Sequence, residues 1–292
     1  MTDNKRHTKL LGLVTLYYSE PSEAASNILR YIQDVEALIV WDNSPLENKL
    51  KEQILTQLGT NSPKVIWKGD GQNYSIAPAI NFAWHYAQEQ QYDLLLLMDQ
   101  DSRWDDFRSF RQHVETLYHT SPGYVFCPYI IGNDRFTIEK DVQERRVFLN
   151  SGTIIPTAIL NKIGGADETF PLDALDHDLA IRIQKTGYTI VCLTKHKLRH
   201  TVGDPQRMGA LHLFTDNYGP LRIYSISKSH IIKYRKHKDW LTFSEKKEMF
   251  KVHYCLKFIR IILAEPQKVQ RLKSFFKGIY DGITYDIKKT KQ

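Results

Sequence analysis

Through about the first 200 residues, short apolar runs alternate with amphipathic stretches, an order that predicts strands alternating with helices. The expected strands are Leu10–Leu16, Ala37–Trp41, Lys64–Trp67, Leu94–Met98, Tyr124–Tyr129, Val147–Ile155 and Tyr188–Leu193. Between the third and fourth, Ile76, Ile80, Ala83 and Ala87 fall on one face of a helix. Leu94–Met98 is apolar at every position, as a central parallel strand covered on both faces must be. The pattern implies an α/β domain with a mostly parallel sheet flanked by helices.

After residue 205 the alternation stops. Phe250, Tyr254, Phe258 and Ile262 recur every four residues, and Val269, Leu272, Phe276, Ile279 and Ile283 every three or four. Pro266 separates these two helical stripes, and Lys251, Lys257, Arg260, Lys268, Arg271 and Lys277 are expected on their other faces. The chain therefore divides into residues 1–205 and a helical extension, 206–292. Charge divides the same way. From Leu221 onward there are 18 Lys and Arg against 6 Asp and Glu, whereas residues 1–220 hold 22 against 27. Basicity confined to one end points to contact of the extension with an anionic membrane surface, the alternative being that the stripes pack on the α/β domain, and no nucleic acid partner is expected.

With 42 % apolar residues in 292, a substantial core is available and disordered or fibrous classes are excluded. Cys127, Cys192 and Cys255 are too far apart for a C-x-x-C pair, so a reducing, cytoplasmic setting is expected. The longest clean apolar run, Leu94–Met98, falls far short of the roughly 20 residues that cross a bilayer. Lys5, Arg6 and Lys9 before Leu10–Tyr18 have the outline of a signal peptide, but Val14, Thr15 and the helix start at Pro21-Ser22 fit a strand followed by a helix better.

In a doubly wound sheet, ligands bind beyond the carboxyl ends of the strands. The run Leu94–Met98 ends in Asp99-Gln100-Asp101-Ser102, a D-x-D on a turn at that position. Two carboxylates so placed can share Mg2+ or Mn2+ with phosphate oxygens. Ala37–Trp41 leads into Asp42-Asn43-Ser44-Pro45, where Asp42 can either cap the turn or accept hydrogen bonds from a base or ribose. Asp176-His177-Asp178 precedes another amphipathic run, so Asp176 is also placed to cap a helix. No G-x-G-x-x-G follows the first strand, which argues against a nicotinamide dehydrogenase.

These motifs resemble the family 2 inverting glycosyltransferases of the GT-A fold, and within them a bacterial rhamnosyltransferase-like group. Met98–Ser102 is similar to that group's metal and nucleotide-sugar signature, and Val40–Pro45 to its nucleoside-contacting turn. GQNYSIAPAIN at Gly71–Asn81, Asn150–Thr153, and Gly164–Glu168 leading into LDALDHDLAIRIQKTG come in the family's order. Counting back from Arg182, Asp176 falls where the family's catalytic base lies. His200-Thr201-Val202-Gly203-Asp204 resembles its histidine element. Three positions depart from the family: Leu16-Tyr17-Tyr18 after Thr15, Ser75 where Gly is usual, and Asp178 where Glu is common.

The resemblance implies a nucleotide-sugar donor, dTDP-L-rhamnose, held by Thr15, Asp42, Asn73 and Asp99. It also implies a divalent cation on Asp99, Asp101 and His200, and a glycan or lipid-linked glycan acceptor at the cytoplasmic membrane face. The cation would neutralise the departing diphosphate, while Asp176 takes the acceptor hydroxyl's proton in a single displacement that inverts the anomeric centre. The three aspartates are expected to converge at the rim of one sheet. Two rivals are transfer from a UDP-hexose and a non-catalytic glycan- or membrane-binding protein on the same fold.

Overall fold

The structure, a computed structural model, describes residues 7–46, 49–132, 134, 136–200, 206–208 and 213–287. It divides into two compact units, Met1–Pro171 with Leu179–Thr201, and Leu172–Asp178 with Val202–Gln292. The segment Leu172–Asp178 thus groups with the C-terminal helices although it lies well before residue 205 in the chain.

In the first unit the order is β1 (Leu10–Leu16), α1 (Pro21–Ile28), β2 (Ala37–Asp42), α2 (Leu50–Leu58), β3 (Val65–Lys68), α3 (Ala77–Glu89), β4 (Leu94–Asp99) and β5 (Ser102–Trp104). Then come α4 (Phe107–Thr120), β6 (Tyr124–Ile131), β7 (Val142–Arg145), β8 (Ile154–Pro156), α5 (Thr157–Ile163), α6 (Leu175–Lys185), whose first turn belongs to the second unit, and β9 (Thr189–His200). The strands order as β3-β2-β1-β4-β8-β6-β9-β5, with β7 also on β9. The sheet is mixed but mostly parallel: β1 to β4, β6 and β9 run one way, and β5, β7 and β8 run against them. The buried core gathers Leu10, Val14, Leu38, Leu94, Leu96, Phe126 and Val191 from the sheet against Ile28, Ile54 and Phe110 from the helices.

The strands differ from the pattern in the sequence at several places; β9, expected to end at Leu193, runs on to His200, and β5 and β7 are additional. The stretch from Val147 to Ile155 is a strand only at its end, because Gly152 sits at φ +80°, where a Cβ would come within 2.8 Å of the Leu198 and Pro128 side chains. That turn keeps Ser151 out of the ladder. β2 and β4 each run one residue further than their apolar patterns, taking in Asp42 and Asp99.

The second unit holds β10 (Gln206–Met208), β11 (Leu213–Thr215), α7 (Pro220–His237), α8 (Phe243–Phe250), a π-helical stretch (Lys251–Leu256), α9 (Lys257–Leu263) and α10 (Lys268–Thr284). Its core is Ile223, Ile231, Met249, Tyr254, Ile261 and Phe275, each large side chain adding about 1.5–3 kcal/mol when fully buried. Among the described residues no helix is long and apolar enough to cross a membrane.

The stripes expected on the tail helices are only partly the buried faces. On α10 the inward residues are Arg271, Phe275, Gly278 and Gly282, while Val269, Phe276 and Ile283 are exposed. Gly278 and Gly282 let α10 press against α7; a Cβ on Gly278 would lie 2.5 Å from the Tyr224 carbonyl oxygen. On the preceding segment the π-helical turn widens the spacing and shifts the phase, so Tyr254 and Ile261 are buried while Phe250 and Ile262 are exposed. Lys257 and Arg271, expected on outer faces, are instead buried. Both bind Glu265, at 2.8 and 2.7 Å, and Thr215 donates to the same carboxylate.

Candidate active site

The parallel register aligns the strand ends that carry the first unit's polar residues. Thr15 on β1 pairs with Asp99 on β4, and Leu16 pairs with Asp42 on β2. After Asp99 the chain turns at Gln100 and Asp101 and re-enters the sheet as β5, antiparallel to β9, with Ser102 directly opposite His200. β9 can reach this place because its pairing with β6 is interrupted: Pro128 faces Leu193, but Tyr129 faces Lys197. Such an irregularity bends the strand and re-aims the side chains beyond it.

Asp99, Asp101 and His200 consequently form a set whose candidate ligand atoms all lie within 4.8 Å of one another. Buried hydroxyls support it. Ser151 Oγ accepts from the Asp99 backbone N–H at 3.1 Å and donates to Ser102 Oγ at 2.5 Å. Ser102 Oγ lies 2.8 Å from His200 Nδ1, which is also 3.2 Å from Asp101 Oδ1. Burial opposes a charge on the imidazole, but the Asp101 hydrogen bond and the charges of Asp101 and Asp99 outweigh it, and the pKa of His200 rises above its ordinary value. Two carboxylates and one imidazole, partly open to solvent, fit a hard divalent cation of the Mg2+ or Mn2+ type. Of the histidine element, Thr201 to Asp204 lie outside the described residues.

Asp42 does serve its turn, with Oδ1 accepting the Ser44 backbone N–H at 2.8 Å. The neighbouring Asn43 is buried and ties two loops together: its Oδ1 accepts from Trp41 Nε1 at 3.1 Å and from the Tyr74 backbone at 3.0 Å, and its Nδ2 donates to the Ser75 carbonyl at 3.1 Å. Asn73 is exposed on that second loop and accepts from the Ser75 N–H at 2.9 Å. Ser75 adopts φ +68°, the left-handed region that glycine enters freely, which is the position where the family resemblance departs from Gly.

Asp176 belongs to the second unit and is the second residue of α6, half-buried, with Oδ1 accepting the His177 backbone N–H at 2.8 Å. Its neighbours are committed to packing. Asp173 is buried against Arg222 at 2.9 Å, and Asp178 is buried against His237 at 2.7 Å. Burial, only partly offset by Arg222, raises the pKa of Asp173. Ala174 sits at φ +64°, a conformation costly for a residue with a Cβ and often found where a functional side chain must be held.

No protein-family model matches the chain. Among curated proteins it is similar to dTDP-rhamnosyl transferase RfbF of Shigella flexneri, at 22 % identity over 233 residues, spanning 73 % of this chain and 76 % of that one. Among solved structures it superposes on GalNAc-T7 with UDP, GalNAc and Mn2+ at TM-score 0.58 and 10 % identity, over 97 % of this chain and 58 % of that one. It also superposes on the mannosyltransferase PcManGT of Pyrobaculum calidifontis, in complex with GDP-Man and Mn2+, at TM-score 0.57 and 11 % identity, over 96 % of this chain and 77 % of that one. The fold is GT-A. The chain spans little more than half the length of GalNAc-T7.

Within this GT-A frame the sequence reading missed the supporting polar residues. Ser102 and Ser151 hold the turn that carries Asp99 and Asp101, Asn43 joins the two loops, and Gln100 Oε1 fixes the end of β1 by accepting from the Tyr17 N–H at 2.6 Å and Ser19 Oγ at 2.5 Å. Gln100 and Ser102 sit inside the quoted motif. The rule that a buried hydroxyl or amide needs a partner would have marked them only if their burial were visible from the sequence.

Proposed function

We propose that this chain is a metal-dependent inverting glycosyltransferase that moves L-rhamnose from dTDP-L-rhamnose to a hydroxyl of a lipid-linked glycan precursor. The observation that carries the reading is the Asp99, Asp101 and His200 set at the carboxyl end of β4, buttressed by buried serines. The GT-A fold and the similarity to a rhamnosyl transferase support the donor class.

Asp99, Asp101 and His200 would hold Mg2+ or Mn2+, which when bound supplies a Lewis acid for the diphosphate. Thr15, Asp42 and Asn73 bind the nucleotide from the ends of β1 and β2 and the loop tied to Asn43. Asp176, left half-buried while Asp173 and Asp178 are spent on packing, takes the proton from the acceptor hydroxyl as its oxygen attacks the anomeric carbon. The glycosidic bond to the diphosphate breaks as the new bond forms on the opposite face, and the configuration inverts.

A panel of nucleotide sugars assayed for transfer and hydrolysis, with and without chelator, tests the reading. Turnover of dTDP-L-rhamnose that chelator abolishes is expected. Preference for a UDP-hexose would move the donor assignment to the first rival, and no turnover of any donor with metal would favour a non-catalytic binding protein.

The enzyme works at the inner face of the plasma membrane in this reading, with α9 and α10 against anionic lipid. Support comes from the exposed Ile259, Ile262, Leu263, Val269, Phe276, Tyr280 and Ile283, with the Lys277 ammonium largely in solvent beside them. Phe276→Asp with Tyr280→Asp should release the protein from anionic vesicles in a sedimentation assay, and unchanged sedimentation would remove the membrane from the proposal.

A further inference from the structure

The second unit contains a cluster of titratable side chains that the chemistry above does not use. On α7, His230, Lys233 and His237 fall at i, i+3 and i+7, and therefore on one helix face. All three are buried, at 5 %, 4 % and 4 % exposure. That face covers the first turn of α6. At one end His237 Nε2 lies 2.7 Å from Asp178 Oδ1, and at the other the His230 ring lies 6.2 Å from the His177 ring. Lys233 lies between these two residues on the same face, near enough to Asp176 for their charges to attract. His253, from the π-helical stretch, closes the cluster by stacking on His230, with ring centroids 3.5 Å apart and planes 19° from parallel. Such stretches frequently mark functional sites in helical proteins.

The charge in this cluster is distributed in a definite way. Two imidazoles stacked this closely repel if both are charged, and burial, with Lys233 adding to it, drives His230 well below its ordinary pKa and His253 down to about 3. His177 is lowered as well, by burial against the opposing pull of Asp176. Burial brings Lys233 down to about 8, opposed by the charges of Asp176 on α6 and Glu245 on α8. At neutral pH the stacked rings are therefore neutral and the ammonium keeps its proton. An ammonium held so deep is costly, and a residue such as Met would fill the position without that cost.

We propose that Lys233 is the positioning residue of Asp176, the attraction of its buried ammonium holding that carboxylate oriented toward the acceptor hydroxyl. The neutral His230 and His253 rings wall the ammonium from water, and the His237–Asp178 pair fixes the register of α7 against the first turn of α6. This rests on the reading of Asp176 as the base.

The test compares full-length wild type, Lys233→Arg, Lys233→Met and Asp176→Asn for kcat, donor KM, pH profile and melting temperature. The wild-type kcat should fall as pH rises through about 8, where Lys233 loses its proton. Lys233→Arg keeps the charge and should carry activity to higher pH. Lys233→Met should lower kcat at neutral pH about 10- to 100-fold with donor KM unchanged, and lose the alkaline limb. An alkaline limb that stays in place in Lys233→Arg overturns the proposal, even if Lys233→Met does not fold; so does a Lys233→Met variant whose kcat matches wild type. Asp176→Asn separates the two ideas. If it still transfers sugar, the base assignment fails and this inference with it; if it abolishes transfer while the Lys233 variants leave the limb unmoved, only the role of Lys233 fails.

Discussion

Two D-x-D sequences in this chain have opposite fates. Asp99 and Asp101 straddle a turn between two strands. There the backbone reverses, the opposing strand delivers His200, and Asp101 keeps 42 % of its side chain in solvent. Asp176 and Asp178 have the same spacing but lie in the first turn of a helix, where residues two apart point to different sides. Asp178 is driven into the interior against His237 and Asp176 is left half-buried. The spacing of two carboxylates therefore does not define a cation site. On a turn the carboxylates converge and can share an ion; on a helix they separate, one into packing and one left half-buried.

The contrast breaks first at the metal. Asp99→Asn should lower transfer by about 10^3-fold or more, because the diphosphate loses its charge partner, while the melting temperature stays close to wild type. Mn2+ titration followed by calorimetry provides the check beside the rate assay. A variant that keeps both metal affinity and rate would show that the turn is an ordinary loop, and the distinction between the two D-x-D sequences would lose its meaning.

The second D-x-D should respond in stability instead. Replacing His237 by Ala removes a buried polar partner of Asp178, at a cost of about 1–3 kcal/mol, and should shift the denaturant midpoint with no change in Mn2+ affinity. Asp178→Asn keeps the volume and a hydrogen-bonding group and should cost less. If either substitution weakened metal binding while leaving the denaturation curve in place, Asp178 would belong to the ligand set and the helix argument would be wrong.

Much of this was legible in the sequence, and the parts that were not share a cause. Strand order along the chain comes from apolar runs such as Leu94–Met98, because a strand buried on both faces leaves no alternative pattern. Asp99 and Asp101 were visible because they come directly after that run. The α10 interface was not, because it is built on Gly278 and Gly282, which bury backbone and carry no apolar signal. Lys257 and Arg271 read as surface charges because the sequence does not show Glu265 between them. The short β5 and β7 were missed for the same reason, since Ser102–Trp104 and Val142–Arg145 become strands through pairing with β9 rather than through their own composition. The pattern reports what is buried by apolar side chains; it is silent where burial is achieved by glycine, by a charge pair or by a partner strand.

The smallest effect is also the most discriminating, because a proton and a metal ion compete for one side chain. His200 has its pKa raised in the folded protein against burial, by the Asp101 hydrogen bond and by the charges of Asp101 and Asp99. In the metal-free protein the sign is direct: the imidazolium stabilises the fold below the unfolded pKa of about 6.5, and that contribution is lost as pH rises through the higher folded value. A divalent cation has the reverse dependence, since only the neutral ring can ligate it. Apparent Mn2+ affinity should therefore drop by roughly tenfold per pH unit once the pH falls below the raised value, while the thermal stability of the metal-free protein rises over the same interval. His200→Gln removes both slopes and leaves Asp99 and Asp101 to bind more weakly. The helical D-x-D offers no such competition, because His237 faces Asp178 inside the protein rather than an opening. Calorimetry at several pH values, paired with thermal melts of the same samples, measures the two slopes together. If affinity tracked pH but His200→Gln left the slope unchanged, the proton would be competing elsewhere and the imidazole would not be a ligand.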